Sequence, residues 1–175
     1  MFLRTFLALP VLAALAFAQA PAGPDMKSVS GSIKARHAQI KGIILRAAEK
    51  MPEDAYSFKP VDTVKSFGEI MGHVADSQYF FCSAAGPEKA ASPGIEKTAK
   101  TKADIIAGLK TALAFCDKAY DALTDTSAGE AVKFGRADMS RAGVLQFNTA
   151  HMFEHYGNFV TYMRMKGLVP PSSER

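Results

Sequence analysis

Four stretches of roughly 20 to 27 residues repeat their apolar side chains at i, i+4, i+7 spacing, and that period limits what the chain can become. A 3.6-residue period places one apolar stripe along a helix, and four such helices bury their stripes by packing on one another. No strand-like alternation, internal repeat or low-complexity tract competes with this reading.

The first helix is expected over 28–51. Its stripe is Ile33, His37, Ile40, Ile44, Ala47 and Met51, and Pro52 stops it. The linker 52–65 contains Tyr56, Phe58 and Pro60 and should pack against the body. Ser66 and Glu69 form a capping box that starts the second helix, which Gly86 and Pro87 end. Residues 87–100 carry Pro, Gly and Ser without an apolar period. They read as a surface crossover long enough for the third helix to start at either end of the bundle.

Thr101, with Asp104 three residues on, caps the third helix, expected over 102–123. Its stripe is Ile105, Leu109, Ala112, Cys116, Ala119 and Leu123. After a linker at 124–138, the fourth helix is expected over 140–166 and is terminated by Gly167 and Pro170-Pro171. The expectation is an all-α four-helix bundle with a ligand site in its core.

The 175 residues suit one domain, and 48% hydrophobic residues exclude both a disordered chain and a membrane bundle. The N-terminus reads as a signal peptide. Arg4 precedes an apolar run from Phe6 to Phe17 that only Pro10 interrupts, and two A-x-A sites follow. Cleavage after Ala18 is expected, with Ala20 the latest site, because a cut there leaves Pro21 against the scissile bond. The run is short of the roughly 20 residues that span a bilayer. An exported protein follows, periplasmic or secreted, with its folded domain at 26–173 and no membrane contact after cleavage.

Loss of Arg4 takes the net charge from +4 to +3. The remaining charge is interleaved along the chain without a basic stripe, which speaks against a nucleic-acid partner. Cys82 and Cys116 each fall inside an expected helix. A disulfide and two small buried thiols are both compatible with those positions.

The fourth helix holds the strongest chemical signal. His151 and His155, at i and i+4, project from one helix face and can bring two ring nitrogens to one metal ion. Their stripe is Val144, Asn148, His151, His155, Asn158 and Tyr162, with Leu145, Met152, Phe159 and Met163 beside it, so the pair points inward. His73 is the expected third ligand, on a face of the second helix shared with Ile70, Ser77 and Phe80.

His37 is the rival. With the first two helices taken as antiparallel, His73 is level with about Ile44, and His37 lies roughly 10 Å along the axis. His37 is therefore read as a structural or pocket-edge residue. Any one inward histidine is most simply a hydrogen-bonded core residue; three on two helices point to a metal. The expected cofactor is one divalent ion, Zn, Ni, Fe or Mn, with a coordination position left open.

His151-Met-Phe-Glu154-His155 also matches the H-x-x-E-H pattern of inverzincin peptidases. Those enzymes need a further acidic ligand downstream, and here the only carboxylate side chain after His155 is Glu174 in the tail. The match is read as coincidence. Glu154 remains the candidate catalytic carboxylate, as a base or a group that orients a ligand, beside the plainer reading of a solvated helix charge. Asp76, three residues after His73, has the same two readings.

Three segments together resemble the DinB-like family, which includes YfiT-type metal-dependent hydrolases. They are Ser66-Phe-Gly-Glu-Ile-Met-Gly-His73, Asn148-Thr-Ala-His151-Met-Phe-Glu-His155-Tyr-Gly-Asn158, and Tyr162-Met-Arg-Met-Lys-Gly167-Leu-Val-Pro-Pro-Ser. The resemblance covers 28–173, and the family's histidine triad maps onto His73, His151 and His155. It implies a four-helix bundle with a crossover between the second and third helices, a divalent metal, and a homodimer as the common assembly. The better understood relatives transfer or isomerise with a metal-activated thiol; export sets this chain apart, since such thiols are scarce outside the cytoplasm.

The expected function is that of a metal-dependent hydrolase or transferase acting on a small molecule, with Tyr79, Phe80, Phe159 and Tyr162 as an aromatic lining. A non-catalytic metal- or ligand-binding module, or a metal that only ties two helices together, is the alternative.

Overall fold

The computed structural model describes residues 23–174. The expected signal peptide and its cleavage site lie outside them.

Four long helices form where the apolar period placed them: α1 (Val29–Lys50), α2 (Phe67–Ala85), α4 (Lys102–Asp121) and α6 (Arg141–Met165). Short helices α3 (Ile95–Thr98) and α5 (Asp125–Ala128), a hairpin of β1 (Ala131–Phe134) and β2 (Ala137–Ser140), and 3-10 turns at Glu53–Ala55 and Pro171–Ser173 complete the order. Each long helix starts at a side-chain cap. Ser66 and Glu69 form a full capping box on α2, as Thr101 and Asp104 do on α4. Ser28 and Ser140 cap α1 and α6. Among the described residues no helix is long and apolar enough to cross a membrane.

The helices close into a ring in which α2 packs on α4 and α6, and α1 on the same two. The first and second long helices therefore face each other across the diagonal. Their opposite sense is as expected, and the axial offset that separates His37 from His73 follows from it: Lys110 of α4 pairs with Glu49, whereas His37 lies beside Asp117, two turns further along.

The start of α4 meets the end of α1, where Lys102 Nζ donates to the carbonyls of Glu49 and Met51. α2 and α4 run parallel, with Gly68 beside Ile105 at one end and Gly86 beside Ala119 at the other. Parallel neighbours need a long return, which the crossover 86–101 supplies.

The buried apolar side chains form two clusters, with Phe115 packed against both. Ile40, Ile44, Met51, Phe67, Met71, Leu109, Leu113, Met152, Phe159 and Met163 are all fully buried. Each is worth about 1.5–3 kcal/mol relative to exposure. The first linker packs as expected: Tyr56 donates to the Ala48 carbonyl at 2.7 Å and its ring meets Phe67 edge-on at 5.2 Å.

Cys82 of α2 and Cys116 of α4 form a disulfide, with Cα atoms 5.2 Å apart. That settles the choice the sequence left open. Beside it, Asn148 donates to Gln78 Oε1 at 3.0 Å and to Cys116 Sγ at 3.3 Å, a buried polar knot tying α6 to the α2–α4 pair.

The hairpin in the third linker is a departure from an expectation that held no strand. Gly135 opens its two-residue turn with φ +60°, the backbone that the first loop residue of a type II′ turn demands. Its inner residue Phe134 stacks on Phe81 of α2, ring centres 5.4 Å apart. Gly86 differs in another way: it caps α2 with φ −91°, outside the left-handed region. A Cβ there would sit 2.8 Å from that of Ala119, so clearance explains the glycine.

Candidate metal centre

His73 and the pair His151–His155 meet across the α2–α6 seam. Antiparallel packing sets the first turns of α2 against the second half of α6, and Tyr162 closes that end by donating to the Lys65 carbonyl at 3.0 Å. The Nε2 atom of His151 lies 3.2 Å from that of His73 and 3.0 Å from that of His155. The three residues are all partly buried, and their ligand atoms lie within 4.8 Å of one another. His37 is not among them.

Two properties test whether such a cluster suits an ion. Hydrogen bonding cannot satisfy it, because His151 Nε2 can donate one proton or accept one and yet faces two other ring nitrogens. A single cation takes all the lone pairs at once. The spacing agrees: metal–nitrogen bonds of about 2.0–2.1 Å put neighbouring donors roughly 2.9 Å apart at a right angle and roughly 3.4 Å apart at the tetrahedral angle. The observed 3.0 and 3.2 Å fall between.

The two rings on α6 are also biased toward the neutral form that ligation requires. Burial, with the neighbouring His155 and His73, pushes His151 down to about 4. Burial and then His73 lower His155 too, against the opposing charges of Glu154 and Glu96.

Around the rings, His73 Nδ1 lies 3.3 Å from Glu96 Oε2. His155 Nδ1 lies 3.5 Å from the Asn158 amide, and His151 Nδ1 is buried without a partner. The wall beside His151 is aromatic, with Phe81 at 5.5 Å and Phe147 and Phe134 behind it.

That wall corrects the expected lining. Phe159 is fully buried against Phe67, Tyr79 stacks on Phe115, and Tyr162 is tied to Lys65 and Phe58. Phe80 alone of the four joins the wall, through Phe81 and Phe134. Phe81, Phe134 and Phe147 were missed because they sit one residue off the stripe or on the unforeseen hairpin.

Glu154 is exposed, without a hydrogen-bond or ion-pair partner among the described residues, and it acts on His155 only through its charge. Glu96, in the crossover, is the carboxylate that touches the cluster, and nothing in the local sequence period marks it. Asp76 turns inward to the crossover, where its two carboxylate oxygens accept from the backbone N–H groups of Ile95 and Glu96 at 2.7 and 2.9 Å.

Residues 39–158 match the family model of the DinB superfamily. Protein YjoA of Bacillus subtilis (strain 168) is 32% identical over 124 residues, 69% of this chain and 79% of that protein. A DinB-like protein from Bacillus cereus ATCC 10987 superposes with a TM-score of 0.71 at 16% identity, covering 84% of this chain and 98% of that one. The solved structure of the B. subtilis YjoA gives 0.63 at 23% identity, covering 78% and 92%. These two superpositions speak to the fold alone.

Proposed function

The chain belongs to the DinB superfamily, and on that premise we propose that it is an exported metal-binding protein that acts as a hydrolase or transferase on a small molecule. The observation that carries the reading is the convergence of three histidine Nε2 atoms from two helices. His73, His151 and His155 would hold one divalent ion, Zn, Ni, Fe or Mn. Such an ion would supply Lewis acidity, making a water or thiol a better nucleophile toward an electrophilic substrate.

The chain's own residues do the rest. α2 and α6 hold the rings rigidly, and Phe81, Phe134 and Phe147 form an apolar wall on the His151 side. Glu154, exposed one residue before His155, is the candidate base at the rim. Export is supported by the charged, apolar and small-residue order of the first 20 residues, and a homodimer by resemblance to the family.

The test is metal per chain, by mass spectrometry, on untagged protein from its export compartment and on the His151→Ala/His155→Ala variant. Near-stoichiometric metal in the wild type and none in the variant is the expected result. A wild type that is metal-free and refuses added Zn, Ni, Fe and Mn would make the histidines core residues and end the enzymatic reading. With metal established, loss of turnover in His151→Ala separates catalysis from a binding module.

A further inference from the structure

The crossover between α2 and α4 does more than return the chain. We propose that Glu96 is a positioning residue of the metal centre: it accepts the Nδ1 hydrogen bond of His73 and thereby commits Nε2 to the ion. This rests on the metal reading above.

A histidine that offers Nε2 as a lone-pair donor must carry its proton on Nδ1, and the acceptor of that proton fixes both tautomer and ring orientation. For His73 the atom in place is Glu96 Oε2, 3.3 Å away. The other two rings have no such partner: Nδ1 of His151 meets none, and that of His155 meets only the Asn158 amide at 3.5 Å. One of three ligands is thus held by a charged acceptor, and that one comes from a different helix from the other two.

The placement of Glu96 is built from several directions. Asp76, one turn beyond His73 on the same helix, holds the backbone of Ile95 and Glu96, so the carboxylate is referenced to the helix whose ring it must meet. Gly72 lets the two backbones touch: a Cβ there would lie 2.6 Å from Glu96 Cα and 2.8 Å from its nitrogen. Ile95, 5% exposed, sits over Gly108 of α4, where an added Cβ would meet its side chain at 2.9 Å. Gly94, at φ +75°, turns the chain into this seat. Lys65 occupies Glu96 Oε1, which leaves Oε2 for the ring. A plain surface ion pair between Lys65 and Glu96 would need neither the two glycines nor the Asp76 clamp.

The test is zinc affinity by chelator competition, with the absorption of the cobalt-loaded protein as an independent readout. Glu96→Ala should weaken zinc binding by about 10–100-fold. Glu96→Gln, whose amide oxygen still accepts from Nδ1, should fall between Glu96→Ala and the wild type. Gly72→Ala, which changes no polar group but displaces the crossover, should weaken binding in the same direction. Lys65→Ala should stay within about threefold of the wild type, with an unchanged cobalt spectrum.

A purely structural role would lower the melting temperature of metal-free Glu96→Gln and leave its zinc affinity at the wild-type value. That result overturns the assignment and leaves the three-histidine site standing. If Glu96→Ala does not fold, the comparison of Glu96→Gln with the wild type decides the matter alone. Failure of the wild type to bind zinc or cobalt overturns this proposal together with the metal reading.

Discussion

The rings of His37 and Tyr120 stack face to face, with centroids 3.6 Å apart and planes 9° from parallel. His37 is 3% exposed, and neither of its ring nitrogens makes a hydrogen bond. The nearest anionic atom is Asp117 Oδ1, at 3.6 Å. Burial lowers its pKa more than Asp117 raises it, so the ring is a neutral aromatic plate between α1 and α4. For Asp117 the balance runs the other way. Burial alone would raise its carboxyl, and the contacts from His37 and Lys41 together hold it lowered.

The first prediction follows from that stack. His37→Phe should keep the plate and cost less than about 1.5 kcal/mol, because the volume is conserved. His37→Ala should cost about 2–4 kcal/mol by opening a cavity. Both should retain the metal of the wild type. Denaturant midpoints and metal content on the same samples check this; metal lost from the stable His37→Phe protein would return His37 to the list of ligands.

A second prediction concerns acid. In the metal-free protein His151 titrates at about 4, against an ordinary value of 6.5, and His155 and His37 are also lowered. The unfolded chain therefore binds more protons than the folded one below pH 6.5, and stability is lost as the pH falls from there toward 4. The His151 share is on the order of 2 kcal/mol, discounted from the full shift for the solvent that still reaches the ring. Calorimetry of metal-free protein between pH 7 and 4 should show this decline, and His151→Asn should flatten it. A melting temperature that is level over this range in the wild type would contradict the neutral, desolvated rings.

The long helices were legible in the sequence because period and caps agreed. Ser66 with Glu69 and Thr101 with Asp104 gave starts that the structure reproduces. The triad was legible for the same reason, since His151 and His155 share a helix face and one further inward histidine sufficed. Ring order was not, because an apolar stripe says that a helix is covered and not by which neighbour. The diagonal relation of α1 and α2 leaves the reading of His37 intact, because its axial offset from His73 depends on their opposite sense alone.

The hairpin escaped because its strands have four residues each and only partial burial, too little for an alternating pattern to register. Glu96 escaped because its neighbourhood is made by the docking of a crossover. The available signal was indirect: Gly72 beside His73 and Gly108 in α4, two helix-weakening residues that clear space for Ile95 and Glu96.

The third prediction tests the disulfide. Cys82 and Cys116 close a loop with a sequence separation of 34, which should contribute about 3–4 kcal/mol by restricting the unfolded chain. Cys82→Ala/Cys116→Ala should lower the melting temperature by roughly 6–16 °C for a domain of this size. Reduction of the wild type should do the same once denaturant exposes the bond, which is buried in the native state. The variant should still bind metal, since the triad lies along α2 and α6. An unchanged denaturant midpoint would mean that the unfolded chain is already restricted in this region.

The last prediction separates a metal that the fold needs from one that it merely holds. His73 belongs to α2, and His151 and His155 to α6, so an ion on all three links two helices otherwise joined by packing and the Asn148 knot. At a free metal concentration about 1,000 times the dissociation constant, binding to the native state alone adds about 4 kcal/mol. At about 2–4 °C per kcal/mol, the melting temperature should rise by roughly 8–16 °C. His73→Ala should abolish most of that rise while its metal-free form melts close to the metal-free wild type, because a half-buried ring at the seam contributes little packing. If chelation instead unfolds the wild type outright at room temperature, the ion is part of the fold. If metal binds and the melting temperature does not move, the unfolded chain must bind the ion equally well, and the convergence of the three rings would not be a preformed site.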